Sequence, residues 1–129
     1  MFSKRRKEIV SRYNEAFSKI PEIIVQEEIP ESDTTRHLYI LRIKPEMLTI
    51  NRREFFDALA AENIMCNVHY IPTYYFPHYQ RLGYEKGLCP KAEKLYDEMM
   101  SLPLYYGMTG ADVEDVIAAV TKLAEYYRK

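Results

Sequence analysis

Cys66, His69, His78 and Cys89 are four side chains of the kind that bind zinc, and they fall in one stretch of the chain. Zinc sites usually draw their ligands in close pairs, C-x2-C or H-x3-5-H, and this spacing contains neither. No metal site is expected from it. Two cysteines do not make a disulfide framework in a chain of 129 residues, so both thiols read as free and buried. The other reactive patterns are also missing: there is no GxSxG, HExxH, P-loop or GxGxxG. Gly83, Gly87, Gly107 and Gly110 stand singly and cannot assemble a backbone cradle for phosphate. No residue is put forward as catalytic.

What remains is polar chemistry suited to holding a ligand. His69 closes an apolar run and precedes a proline turn, the kind of position where a rigid element carries a polar side chain to a rim. A half-buried histidine bonded to a neighbouring carbonyl is the competing reading. Tyr70, Tyr74 and Tyr75 come next, each able to pack a ring and offer a hydroxyl. With Phe76 and Tyr79 these rings would bury on the order of 750–1,250 Å². The largest apolar patch on a soluble monomer is typically about 300–600 Å², so something must cover them. His37, at the start of a strand, reads as structural, and His78, between prolines and tyrosines, as solvated.

The elements that position these residues can be read from periodicity. Ile9, Val10, Tyr13, Ala16, Phe17 and Ile20 form the apolar face of a helix over Ser3 to Ile20, stopped by Pro21. Its basic start, Lys4 to Lys7, is a solvated face rather than a phosphate-binding arm. Ile23 to Ile29 is a short edge strand, and His37 to Ile43 a firmer one. Asn51 with Glu54 forms a capping box for a helix burying Phe55, Phe56, Leu59 and Ala60. That helix ends near Asn63, which tolerates the left-handed conformation. Ile64 to Tyr70 reads as a buried strand, completing a strand–helix–strand unit, and Pro72 and Pro77 keep the strand from continuing. A helix from Pro90 to about Met100 precedes an extended Ser101 to Tyr106. Thr109 and Asp112 cap a last helix with the stripe Val113, Val116, Ile117, Val120, Leu123 and Ala124.

A hydrophobic content of 47% in 129 residues suits one compact domain, residues 1–129, with no linker to divide it. Its formal charge of -1 supplies no field for nucleic acid or anionic lipid. No signal-peptide core or membrane span is evident, so a cytoplasmic protein is expected.

In their order, RHLYILRI, an amphipathic helix, NVHYIPTYYFPHYQRLGY, and CPKAEKLYDEMMSLPLYYGMT with a terminal helix, these segments resemble the C-terminal small domain of the DegT/DnrJ/EryC1/StrS aminotransferases. These are fold-type I enzymes that use pyridoxal phosphate (PLP) to aminate nucleotide-linked keto sugars. The VHYIP and FPHYQRLGY wording is most similar to the 4-aminotransferases of the pseudaminic acid route, which act on UDP-linked 4-keto-6-deoxy-N-acetylhexosamines. The opening KRRKEIVSRYNEAF is similar to the helix leading into that domain.

The resemblance implies an α+β fold with a small sheet of three or four strands flanked by helices. It implies that the PLP lysine, the carboxylate facing the pyridine nitrogen and most phosphate contacts belong to a large N-terminal domain that nothing here matches. On that reading the chain is one domain of a longer enzyme of surface-glycan or polysaccharide biosynthesis. Alone it would be inactive and bind no PLP. Its partners would be a nucleotide sugar, an amino donor (usually glutamate) and a second identical subunit. His69, Tyr70, Tyr74 and Tyr75 would border the sugar-nucleotide cleft. Three positions depart from the family pattern: Tyr74 stands where a histidine is frequent, Arg36 where a tryptophan is, and Asn63 where a glycine is. A different class of function, a stand-alone ligand-binding or oligomerisation module with an aromatic interface loop, is the alternative.

Overall fold

The computed structural model describes residues 2–129. Helix α1 (Phe2–Phe17) leads into a two-residue strand β1 (Ile23–Ile24) and then, after a long loop, β2 (Tyr39–Ile43). Helix α2 (Arg52–Ala61), a one-turn helix α3 (Pro77–Arg81) and α4 (Pro90–Glu98) come next. Strand β3 (Met99–Leu102) and the long α5 (Gly110–Tyr126) complete the chain. The sheet is three-stranded and antiparallel in the order β1-β2-β3, with Ile23 opposite Ile43 and Leu41 opposite Met100. This is the α+β architecture expected, a small sheet among helices.

Alternation along β2 divides the molecule. Tyr39, Leu41 and Ile43 are buried on the face covered by α1, α2 and α5, while Ile40 and Arg42 point to the half-covered face crossed by α4. The core is partly aromatic. Tyr13 lies edge-on to Tyr39 at 5.0 Å and stacks on Phe17 at 5.5 Å. Neither phenol is left unbonded: Tyr39 donates to Asn14 Oδ1 at 2.8 Å and Tyr13 to the Pro103 carbonyl at 3.0 Å. Burial raises the pKa of both.

Both capping boxes form, Asn51 with Glu54 and Thr109 with Asp112. Asn63 does adopt the left-handed conformation, at φ 62°. The last helix buries its expected stripe, except Ile117, which is half-covered. Other boundaries move. Helix α1 stops at Phe17 rather than Ile20: Ser18 and Lys19 form a turn, and Ile20, the residue before Pro21, is kept out of the α region. The tighter bond of Ile20 N–H to the Phe17 carbonyl closes the end. The first strand is only Ile23–Ile24, and β3 begins at Met99, where two buried methionines pair with Leu41 and Arg42.

The strand proposed for Ile64 to Tyr70 does not exist, and with it goes the strand–helix–strand unit. Only Asn67 bridges to the sheet, exchanging both backbone bonds with Ser101. The Asn67 side chain then accepts from Val68 N–H, turning the chain away before a ladder can extend. Apolar composition alone could not distinguish this segment from a strand. The C-terminus is pinned by Glu22, 1% exposed, whose carboxylate accepts from Arg128 Nε at 2.5 Å and Nη2 at 3.1 Å. That contact, above all the hydrogen bond from Arg128, lowers the Glu22 pKa. Among the described residues no helix is long and apolar enough to cross a membrane.

Candidate functional site: a cleft on the outer face of the sheet

The face of the sheet turned from the core carries a cleft of about 510 Å³. Ile24, Ile40, Leu95 and Met99 make an apolar floor, and Gln26, Glu27, Arg42 and His69 supply polar groups. His69 is held there by β3. Its Nδ1 lies 2.8 Å from the hydroxyl of Ser101, which is buried at 5% exposure, and the Asn67–Ser101 bridge fixes the backbone two residues before it. Nε2 is the ring nitrogen left for a ligand.

Arg42 reaches the same cleft but is not a free cation. Its Nε and Nη2 both donate to Oε2 of the buried Glu98, at 3.1 and 2.5 Å. Lys94 lies 3.7 Å from the other carboxylate oxygen. A guanidinium fixed this way is a rigid donor surface with little net charge.

The four expected site residues part company. Tyr70 sits beside His69, the two rings edge to face at 4.7 Å, and it is 74% exposed. Tyr74 and Tyr75 belong to a separate clamp. Tyr74 donates to Glu93 Oε1 at 2.6 Å, and the same oxygen accepts from Gly87 N–H at 2.6 Å. Lys86 lies over the Tyr75 ring, which meets Tyr96 edge to face at 6.1 Å, and Tyr96 in turn carries Arg52 at 5.0 Å. Partial burial and the Glu93 carboxylate raise the Tyr74 and Tyr75 pKa values, and the Tyr74 hydrogen bond lowers that of Glu93. Of the four expected residues only His69 lines the cleft; Tyr70, Tyr74 and Tyr75 do not.

Sequence reasoning missed Arg42, Glu98, Ser101 and Glu93. Arg42 left a signal, since alternation in YILRI sets it opposite Leu41 and Ile43. Glu98 and Glu93 left none, because each acts through a partner distant in sequence. The cysteines are free, but only Cys66 is mostly covered, and burial pushes its thiol up to about 12. Cys89 is exposed, against the expectation that both were buried. Among the described residues no group of three or more His, Cys, Asp or Glu side chains could hold a metal ion.

The residues do not fit PLP as a resident of this cleft. No lysine lines it to form a Schiff base, and no run of backbone amides faces a phosphate. The cleft is built to hold something polar at its edges and apolar on its face.

Comparison with known proteins places this mixed α+β domain, whose loop carries a histidine over the outer face of a three-stranded sheet, among the aminotransferases. The chain belongs to the DegT/DnrJ/EryC1/StrS aminotransferase family, whose model matches residues 1–121. It is 39% identical over 124 residues to the spore coat polysaccharide biosynthesis protein SpsC of Bacillus subtilis, covering 95% of this chain and 32% of that protein. It is 30% identical over 125 residues to the UDP-4-amino-4,6-dideoxy-N-acetyl-beta-L-altrosamine transaminase of Campylobacter jejuni, covering 97% and 33%. Among solved structures it is similar to Spr1654 of Streptococcus pneumoniae, assigned as a sugar aminotransferase, in its PMP form. That match has a TM-score of 0.86 at 30% identity and covers 96% of this chain and 31% of the other. The chain thus spans about a third of the length of the curated relatives it matches.

Proposed function

We propose that this chain is the C-terminal, substrate-facing small domain of a PLP-dependent aminotransferase that aminates a nucleotide-linked keto sugar for polysaccharide or surface-glycan synthesis in the cytoplasm. The observation that carries the reading is the His69 cleft. Its apolar floor suits the face of a sugar ring, and its fixed donors suit the edges. His69, oriented through Ser101, would exchange a hydrogen bond with a sugar hydroxyl or amide at Nε2, and Tyr70 would lay its exposed ring against the ligand. Arg42, already neutralised by Glu98, would hydrogen-bond without adding charge. Tyr74 and Tyr75 would act one step back, holding the loop that carries Tyr70.

When bound, PLP supplies the group that takes up and hands over the amino nitrogen. The reading assigns its lysine to a part of the enzyme other than this domain, and the amino donor would be glutamate. The narrower substrate, a UDP-linked 4-keto-6-deoxy-N-acetylhexosamine, draws its support from the Campylobacter relative. Tyr70, Phe76, Tyr79, Leu82 and Tyr84 are all at least 40% exposed. In this reading they meet the rest of the enzyme or a second subunit. An alternative, an oligomerisation module with no ligand, would leave the cleft without an occupant.

The test is an NMR titration of the labelled chain with UDP-N-acetylglucosamine. One wall of a site should bind no tighter than roughly millimolar, on the order of 4 kcal/mol. Shifts concentrated at His69, Tyr70 and Arg42 support the reading. Concentration-dependent dimerisation with no shift at those residues favours the oligomerisation module.

A further inference from the structure

The loop between β1 and β2 forms one wall of the cleft through Gln26 and Glu27, yet little fastens it to the body. Every residue from Gln26 to Thr35 is exposed, as is His37, and Arg36 between them is 4% exposed. Inside the loop the backbone makes one backbone–backbone hydrogen bond, from Ser32 N–H to the Ile29 carbonyl. Lys7 of α1 pairs with Asp33, but both are well exposed, and such pairs hold weakly. The buried guanidinium pairs with Glu28, the residue next to the Glu27 that faces the cleft.

We infer that the Arg36–Glu28 pair is a latch that sets the wall of the His69 cleft, making Arg36 a positioning residue for whatever the cleft binds. A buried guanidinium is a poor way to add stability when its partner stays in water, because Arg36 is desolvated while Glu28 remains 58% exposed and screened. Here the arrangement is costlier still. Arg36 Nε and Nη2 are both buried with no hydrogen-bond partner among the described residues, so Glu28 meets the guanidinium as an ion pair and not through a formed hydrogen bond, and the backbone sits at φ 52°, which a side chain disfavours. An apolar anchor would hold a loop more cheaply. What the pair adds is direction: the buried guanidinium gives the exposed Glu28 carboxylate a fixed charge to face and so sets the strand-to-loop exit at Val25 to Glu27. The Arg36 backbone N–H, bonded to Thr34 Oγ1, fixes the turn that carries it. The loop also roofs a second hollow of about 300 Å³ against α1, lined by Ser11, Asn14 and Thr34, so it has room to move once released.

The inference takes its ligand from the proposed function, but its test does not. Backbone amide NMR order parameters are measured residue by residue in the parent chain, Glu28→Gln, Arg36→Leu and Arg36→Lys, with the His69 Cε1–H resonance tracked alongside. Rigid backbone has an order parameter of about 0.85 and flexible backbone one below about 0.6. The expected result is a fall to below about 0.6 over residues 26–35 in Glu28→Gln and Arg36→Leu, with the sheet amides of Leu41 and Met100 unchanged. His69 should shift in both, and Arg36→Lys should recover part of the order. Glu28 is exposed, so Glu28→Gln keeps the test alive if Arg36→Leu fails to fold. Loop order and His69 shift equal to the parent in Glu28→Gln overturn the latch. A chain that binds no sugar nucleotide but loses loop order in these variants retains the latch and loses the substrate reading.

Discussion

His69 Nδ1 lies 2.8 Å from Ser101 Oγ, joining an irregular loop to the middle of the last strand. Ser101 is buried, and its hydroxyl can accept from Nδ1–H or donate to a bare Nδ1, so the bond holds the ring's orientation in either tautomer. Ser101→Ala should cost about 1 kcal/mol in denaturant unfolding, typical of one lost hydrogen bond. It should also change the tautomer balance of His69, read from the ring nitrogen shifts. An unchanged ring spectrum would mean that the ring is held by packing instead.

What the sequence revealed about this region depended on distance along the chain. Capping boxes at Asn51 and Thr109, the left-handed Asn63 and the strand ending at Ile43 were legible because each is decided within a few residues. The Ile64 to Tyr70 segment was misread because its fate rests on Asn67 meeting Ser101, a register set by the whole fold. The helix at Pro77–Arg81 was passed over although proline at a first helical position was a fair signal. His69 and Tyr70 could be singled out as neighbours of a turn. That Tyr74 and Tyr75 turn to Glu93 depends on a helix reached only later in the chain, and no local pattern announces it.

The clamp at Glu93 should respond to acid. Its pKa is lowered in the folded chain, first by the Tyr74 hydrogen bond, so it contributes stability that is full above the ordinary glutamate range. That contribution is lost as the pH falls through the lowered value. The protection factor of the Gly87 amide, which donates to the same oxygen, should therefore fall on acidification, each exchange rate being taken relative to that of an unprotected amide at the same pH. Glu93→Gln should abolish that change in protection, and Tyr74→Phe should move its midpoint up toward an ordinary glutamate. A Gly87 protection factor indifferent to pH would mean that the carboxylate does not hold the loop.

Asn63 ends α2 at φ 62° with its side chain exposed, so its backbone can be tested without disturbing the core. Asn63→Val should destabilise by about 1–2 kcal/mol, since a β-branched side chain clashes in the left-handed region. Asn63→Gly should lie within about 0.5 kcal/mol of the parent, because relief of strain is offset by the freer unfolded chain. Thermal or urea unfolding of the pair decides it, and equal losses would place the cost elsewhere than in φ.

Tyr70 separates binding from folding most sharply. At 74% exposure its ring adds little to the fold, so Tyr70→Ala should leave unfolding within about 0.5 kcal/mol of the parent. If the ring packs on a sugar nucleotide, the same change should weaken UDP-N-acetylglucosamine by roughly three- to tenfold, the worth of one aromatic contact. His69→Ala removes the edge-to-face partner as well as the hydrogen bond and should weaken binding at least as much. The double variant should then lose less than the sum, because each ring orients the other. Strict additivity would mean two independent contacts. Unchanged affinity in both singles would remove this cleft from the substrate's path and return attention to the face where Phe76 and Tyr79 stand uncovered.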